Sequence, residues 1–248
     1  MQDWAFHDPV VNGCAAHVFV PPHSPDTNRN GLLLACIRRT NVEREFAAWT
    51  QDWVNNGFVL AGYDWPEQRY IWGADAAMDT LDALYQWVRA RWDTRPRPAV
   101  CGTSRGGQTA AVWAHRRPNL LVAWFGINPV LDVVHLYDQP NRPETLHDAY
   151  GIKTRDELVK VVAPRASPVL LAHELTWLPL CTWQGRDDEV TPPQVMLEFD
   201  RRVNAAGGNH TYVLAPGGHA TSNGPRHQID SPAQIAFVRR AESAAKAS

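Results

Sequence analysis

A chain of 248 residues with a formal charge of −2 at pH 7 carries no global basic field, which argues against nucleic acid or an anionic membrane surface as its partner. The length suits one α/β domain, and the expected organisation is a single domain over residues 1–248. Cys14, Cys36, Cys101 and Cys181 lack metal-site spacing and are read as free thiols buried in a reducing compartment.

Met1-Gln2-Asp3-Trp4 has neither the basic region nor the apolar run of a secretory signal, and no apolar stretch approaches a membrane span, so the expectation is a soluble, cytoplasmic chain. Eleven tryptophans are unusual, and most are expected to fill the core.

Residues 1–30 hold a strand pair that ends in Ala16-His17-Val18-Phe19-Val20 before Pro21-Pro22. The uninterrupted apolar run from Gly31 to Ile37 predicts a strand covered on both faces. Phe46, Trp49, Trp53 and Val54 recur at helical spacing within 43–55, Gly57 ends that helix, and Phe58 to Tyr63 follow as a strand. A second amphipathic helix is predicted over 74–92, with Asp75, Asp79 and Asp82 early and Arg89 and Arg91 late, as the helix dipole prefers. Next come a short strand ending near Thr103, a helix that stops at Pro118, and a buried strand over 121–127.

Residues 129–178 break the alternation. Pro129, Pro140, Pro143, Pro164 and Pro168 surround short helical pieces such as 155–162, and the segment is expected to be a small cap-like insertion over the sheet's active edge. The rhythm resumes with a strand over 178–183, a helix from Thr191-Pro192 to about Asn204, a strand over 210–214 and a terminal helix opened by Ser231-Pro232. That last helix is expected to fray from Ala244 onward. Strands separated by helices imply a mainly parallel, twisted sheet with helices on both faces.

The chemistry concentrates in Gly102-Thr103-Ser104-Arg105-Gly106, a GxSxG pattern between an apolar strand and a helix whose first face is small. Such a turn forces its middle residue into a strained conformation with the hydroxyl exposed, which makes Ser104 the candidate nucleophile. A serine hydroxyl needs a base, and the base needs a third group to hold its tautomer. Two later strand ends offer them: Gly185-Arg186-Asp187-Asp188-Glu189-Val190-Thr191-Pro192, and Pro216-Gly217-Gly218-His219-Ala220. Asp187 or Asp188 is the candidate acid, with Asp132 as the alternative beyond the 121–127 strand. His219 is the candidate base ahead of His210, His227 and His115.

In these three motifs and their order, the chain resembles the α/β-hydrolase superfamily, in particular its small serine esterases and prolyl-oligopeptidase-like hydrolases. The resemblance implies an α/β-hydrolase fold, with Ser104 as nucleophile, Asp188 as orienting acid and His219 as general base. It implies oxyanion donors from the Arg105 N–H and from the loop Arg38-Arg39-Thr40-Asn41, where Arg39 and Thr40 are the two options. The implied reaction is hydrolysis of a small-molecule carboxylic ester through an acyl-enzyme, with no metal or organic cofactor. An aminopeptidase or small-peptide hydrolase would use the same triad. A carbohydrate esterase or deacylase would use Trp65, Trp72 and Trp177 if they line the site, and a non-catalytic hydrolase-like binding protein would not need the triad. Arg39, Arg105 and Arg186 would project from strand ends near the serine, where a guanidinium suits a substrate carboxylate; Arg39, Arg186 and Trp65 are the candidate substrate contacts.

Overall fold

In the computed structural model, which describes residues 4–22, 29–38, 41, 46–140, 142–219 and 229–247, one sheet gathers nine strands. These are β1 (Ala5–His7), β2 (Val10–Val11), β3 (Cys14–Val20), β4 (Gly31–Cys36), β5 (Phe58–Tyr63), β6 (Ala99–Thr103), β7 (Ala123–Ile127), β8 (Leu180–Gly185) and β9 (His210–Ala215). Their order across the sheet is β1-β3-β5-β4-β6-β7-β8-β9, with β2 paired to β3. β3 runs antiparallel to β1, β2 and β5, and every pairing from β5 through β4, β6, β7, β8 to β9 is parallel. This is the α/β-hydrolase fold.

The buried strands alternate between two cores. Leu32, Leu34, Val100 and Trp124 point into one, and Leu33, Ala35, Cys101 and Phe125 into the other. Because both faces are covered, the strand segments read as continuous apolar runs rather than as alternating ones.

The helices are α1 (Ala47–Asn55), α2 (Asp75–Arg89), α3 (Arg105–Arg116), α4 (Val133–Tyr137), α5 (Pro143–Tyr150), α6 in three parts (Arg155–Glu157, a π-type turn Leu158–Val162, and Ala163–Ala166), α7 (Pro168–Leu171), α8 (Pro193–Ala205) and α9 (Ser231–Ala247). α1 and α9 cover one face through Trp49, Trp53, Phe237 and Val238. α2, α3 and α8 cover the other through Met78, Leu81, Val112, Trp113 and Phe199.

Several boundaries differ from expectation: β8 runs Leu180–Gly185 rather than over 178–183, β7 starts at Ala123 rather than 121, and α8 starts at Pro193. α2 is shorter at both ends than 74–92, since Ala74 is extended and Arg91 and Trp92 lie in a turn. α9 is helical to Ala247, three residues past Ala244, with Ala241 and Ala245 packed on the α1 side and Glu242 buried against Arg95. The predicted start of α1 at 43 lies outside the described residues.

The proline-rich stretch after β7 folds as α4 to α7. Leu146, Leu158, Val162, Ala166 and Leu171 join the same core as α2 and α3, and Gln108 on α3 donates to Ala166 O at 2.6 Å. All four cysteines are free and buried, on β3, β4, β6 and β8.

Candidate active site

Four adjacent parallel strands, β6 to β9, each place one polar residue just beyond their carboxyl ends: Ser104, Asn128, Asp188 and His219. That edge is where a parallel sheet leaves a crevice between diverging loops.

Ser104 joins β6 to α3 with φ 51° and ψ −121°, a backbone conformation that a side-chain-bearing residue adopts only under constraint. The constraint is visible: Ser104 N–H donates to Ile127 O at 3.0 Å, while Ser104 O accepts from Val130 N at 2.9 Å and Gly107 N at 3.0 Å. The flanking glycines let the turn close. A Cβ on Gly106 would sit 1.9 Å from the carbonyl oxygen of Cys36, and one on Gly102 would sit 2.3 Å from the carbonyl carbon of Gly106.

His219 Nε2 lies 2.8 Å from Ser104 Oγ, and its Nδ1 lies 2.9 Å from Asp188 Oδ2. The network assigns the proton on Nδ1 to the carboxylate, leaving Nε2 to accept from the serine. Asp188 is 3% exposed, yet its two oxygens receive five donors. Val190 N and Thr191 N donate to Oδ1 at 2.9 and 2.8 Å; Thr191 Oγ1, Gln184 Nε2 and His219 Nδ1 reach Oδ2 at 2.7, 3.1 and 2.9 Å. Burial works against the charge on this carboxyl, but the hydrogen bond from His219 and the Thr191 donors outweigh it and hold Asp188 below the usual carboxylate range.

Asn128 fastens the two loops together. Its backbone takes φ 44°, its Oδ1 accepts from Gly185 N at 2.7 Å and its Nδ2 donates to His219 O at 3.1 Å. Arg186 N and Asp187 N donate to Ala215 O and Gly217 O, which ties the acid loop to the histidine loop. Asn128, Gln184 and Thr191 had no role in the sequence reading. The available signals were an asparagine at a strand end, where it tolerates positive φ, and a threonine inside the acid motif.

The remaining candidates are occupied elsewhere. Asp187 is exposed. Asp132 caps α4, its Oδ1 accepting from Val134 N at 2.9 Å, with Ser167 Oγ at 3.2 Å. His210 is buried between Asp200 and Thr182, and His115 pairs with Glu174 at 2.8 Å. His227, Arg39 and Thr40 lie outside the described residues. Arg105 is the first residue of α3, so its N–H has no acceptor within the helix and is free to meet an oxyanion beside Ser104.

Arg186 is exposed on the acid loop and has no side-chain contact to Ser104 or His219 among the described residues. Trp65 and Trp72 are 8% and 1% exposed, so their rings are not open platforms; Arg38 lies over the first and Arg105 over the second, at 4.7 and 5.4 Å from the ring centroids. Trp177 is half-buried against the core. Among the described residues, no group of three or more His, Cys, Asp or Glu is placed to hold a metal ion, and no helix is long and apolar enough to cross a membrane.

A parallel α/β sheet with a serine on a strained strand–helix turn, hydrogen-bonded to a histidine that is itself held by a buried carboxylate, defines a serine hydrolase of the α/β-hydrolase class. Residues 47–241 match the model of the prolyl oligopeptidase family, and the chain belongs to that family. No curated protein matches it in sequence. Its fold resembles a puromycin hydrolase (19% identity, TM-score 0.74, covering 98% of this chain and 40% of that one). It also resembles the Pyrococcus horikoshii acylaminoacyl peptidase (13% identity, TM-score 0.72, 98% and 42%). An S-formylglutathione hydrolase from Agrobacterium tumefaciens matches at 14% identity and TM-score 0.70, over 97% of this chain and 95% of that one. The chain thus spans about two-fifths of the length of the first two structures.

Proposed function

We propose that the chain hydrolyses carboxylic esters through Ser104, His219 and Asp188, as one α/β domain over residues 1–248 with residues 129–178 as a cap-like insertion. The observation that carries the reading is the unbroken relay from Asp188 Oδ2 through His219 to Ser104 Oγ, with links of 2.9 and 2.8 Å. His219 Nε2 takes the Ser104 proton as Oγ attacks the ester carbonyl. Asp188 stabilises the imidazolium that forms and keeps Nδ1–H directed at itself. The Arg105 N–H donates to the oxyanion, with a second N–H from Arg39 or Thr40. Collapse expels the alcohol, which takes the proton from Nε2, and a water activated by the same nitrogen then releases the acid.

A peptidase reading has its own support, since the family is named for a peptidase and one of the similar structures is titled an acylaminoacyl peptidase. The ester reading is favoured by the match to S-formylglutathione hydrolase along nearly the full length of both chains. The deciding assay is turnover of p-nitrophenyl esters from acetate to laurate beside aminoacyl p-nitroanilides, for wild type and Ser104→Ala, with fluorophosphonate labelling of the serine. Ester turnover and labelling that vanish in Ser104→Ala are expected. Anilide turnover without ester turnover would move the assignment to a peptidase, and the absence of both turnover and labelling would end the hydrolase reading.

A further inference from the structure

Beside Ser104 the described residues gather positive charge without a matching acid. Arg105 follows the serine directly, and its guanidinium lies over the Trp72 ring with Nη1 3.5 Å from Gln68 Oε1, the same oxygen to which Trp72 Nε1 donates at 3.0 Å. Arg38, just past β4, lies over the Trp65 ring, and its hydrogen bond among the described residues is to Trp65 O, at 3.5 Å. Arg142 leads into α5, which packs on the turn Gln68–Tyr70, and Tyr150 at the end of α5 donates to Trp72 O. Burial, then the positive charges of Arg38 and Arg142, hold the Arg105 guanidinium below its usual range. Among the described residues, no carboxylate lies within 4.0 Å of any of the three; Glu67, the acid of that turn, pairs with Arg69 at 3.0 Å.

Three like charges repel one another, Arg105 and Arg142 half-buried and Arg38 exposed, and stacking on indole faces leaves most in-plane donors of Arg38 and Arg105 unspent among the described residues. Among the described residues, Arg38 and Arg105 use one long side-chain hydrogen bond each, at the outer limit of such contacts. An anion arriving with the substrate would relieve the repulsion and take up those donors. A carboxylate matches the planar fork and can accept from two N–H groups at once.

We infer that the site beside Ser104 selects substrates bearing a free carboxylate, received by the guanidinium groups of Arg105, Arg38 and Arg142. This rests on the hydrolase reading above and narrows its substrate class to acidic esters. Arg142 comes from the cap-like segment and Arg38 from the end of β4, so the arginine cluster depends on the packing of α5 on the Gln68–Tyr70 turn.

The test compares kcat/KM for mono-4-nitrophenyl glutarate with that for its methyl ester, and for 4-carboxyphenyl acetate with that for its methyl ester, each corrected for the ester's own reactivity towards hydroxide. Wild type is expected to prefer the anion by about tenfold or more in at least one pair, the worth of one charge-assisted contact. That preference should shrink with rising salt and fall in Arg38→Gln and Arg142→Gln. Glutarate, but not glutaramide, should compete with 4-nitrophenyl acetate for the wild-type site, a readout that needs no variant. Neutral esters cleaved as fast as their anionic partners in both pairs would overturn the inference and leave the hydrolase reading standing, as would a preference untouched by both variants. If no ester is turned over and Ser104 is not labelled, both fail together.

Discussion

Gly106→Ala puts one methyl group where α3 crosses β4. The new Cβ would lie 1.9 Å from Cys36 O and 3.0 Å from its carbonyl carbon, whereas ordinary contact begins at 3.4 Å. The two chains must separate by about 1.5 Å. β4 cannot yield, because it is paired on both sides, to β5 and β6, and is wholly buried. The displacement therefore falls on the start of α3, which carries Arg105 N–H and follows Ser104 directly. A misplacement of roughly 1 Å at reacting groups costs on the order of 100-fold in rate. The overpacking itself costs about 1–3 kcal/mol, partly offset by up to about 1 kcal/mol from replacing glycine within a helix. The assay is kcat/KM on 4-nitrophenyl acetate together with the thermal midpoint, and the expected result is a folded variant with turnover down about 100-fold. Gly151→Ala serves as the control, since that glycine has φ +66° and nothing within 4 Å of an added Cβ. It should lose roughly 1–2 kcal/mol of stability from left-handed strain and keep its turnover. Near-normal turnover in Gly106→Ala would refute the claim that this close approach sets the position of Ser104.

Asp188→Asn should lower kcat on the order of 10³–10⁴-fold with little change in KM, because the amide no longer enforces the Nδ1–H tautomer. Since the folded state holds the Asp188 carboxyl below its usual value, its stabilisation is complete above about pH 4 and is lost as pH falls further. The difference in urea midpoint between wild type and Asp188→Asn should therefore close on acidification, and a widening gap would contradict the assignment. Thr191→Val removes the hydroxyl that donates to Asp188 Oδ2 at 2.7 Å while keeping the shape; a loss of about 1–2 kcal/mol and a drop in kcat are expected, with Thr191→Ser restoring both. Burial pushes the Cys181 thiol up to about 11 and raises those of Cys14, Cys36 and Cys101, so a disulfide reagent at about pH 8 should find no thiol in the native protein and four after unfolding.

The parts of this protein that were legible in the sequence are those in which a local constraint leaves a local trace. A strand buried on both faces must be apolar throughout, so β4, β5 and β7 could be read from Gly31 to Ile37, Phe58 to Tyr63 and Leu121 to Ile127. A strand–helix turn that brings backbones within van der Waals contact must use glycine, so Gly102 and Gly106 bracket Ser104. The strand ends also pointed to Asp188 and His219, which the fold brings into one hydrogen-bonded chain with Ser104 because their loops leave the same sheet edge.

What stayed hidden depends on elements far apart in the chain. Asn128 has no motif of its own; its role comes from β7 lying between β6 and β8, which puts its amide between Gly185 N and His219 O. The arginines show the same division. Strand-end position suggested Arg39, Arg105 and Arg186, whereas the fold sends Arg186 to the surface and brings Arg142 towards Arg105 by packing α5 on the 68–72 turn. The sequence by itself determined the order of the strands along the chain, the glycine-bracketed serine and the motif order of serine, acid and histidine, since each follows from backbone sterics or burial acting over a few residues. Only the tertiary structure decided the lateral order of the sheet, the five donors on Asp188 and the seating of Arg38 and Arg105 on Trp65 and Trp72, because these arise where loops separated by tens of residues meet.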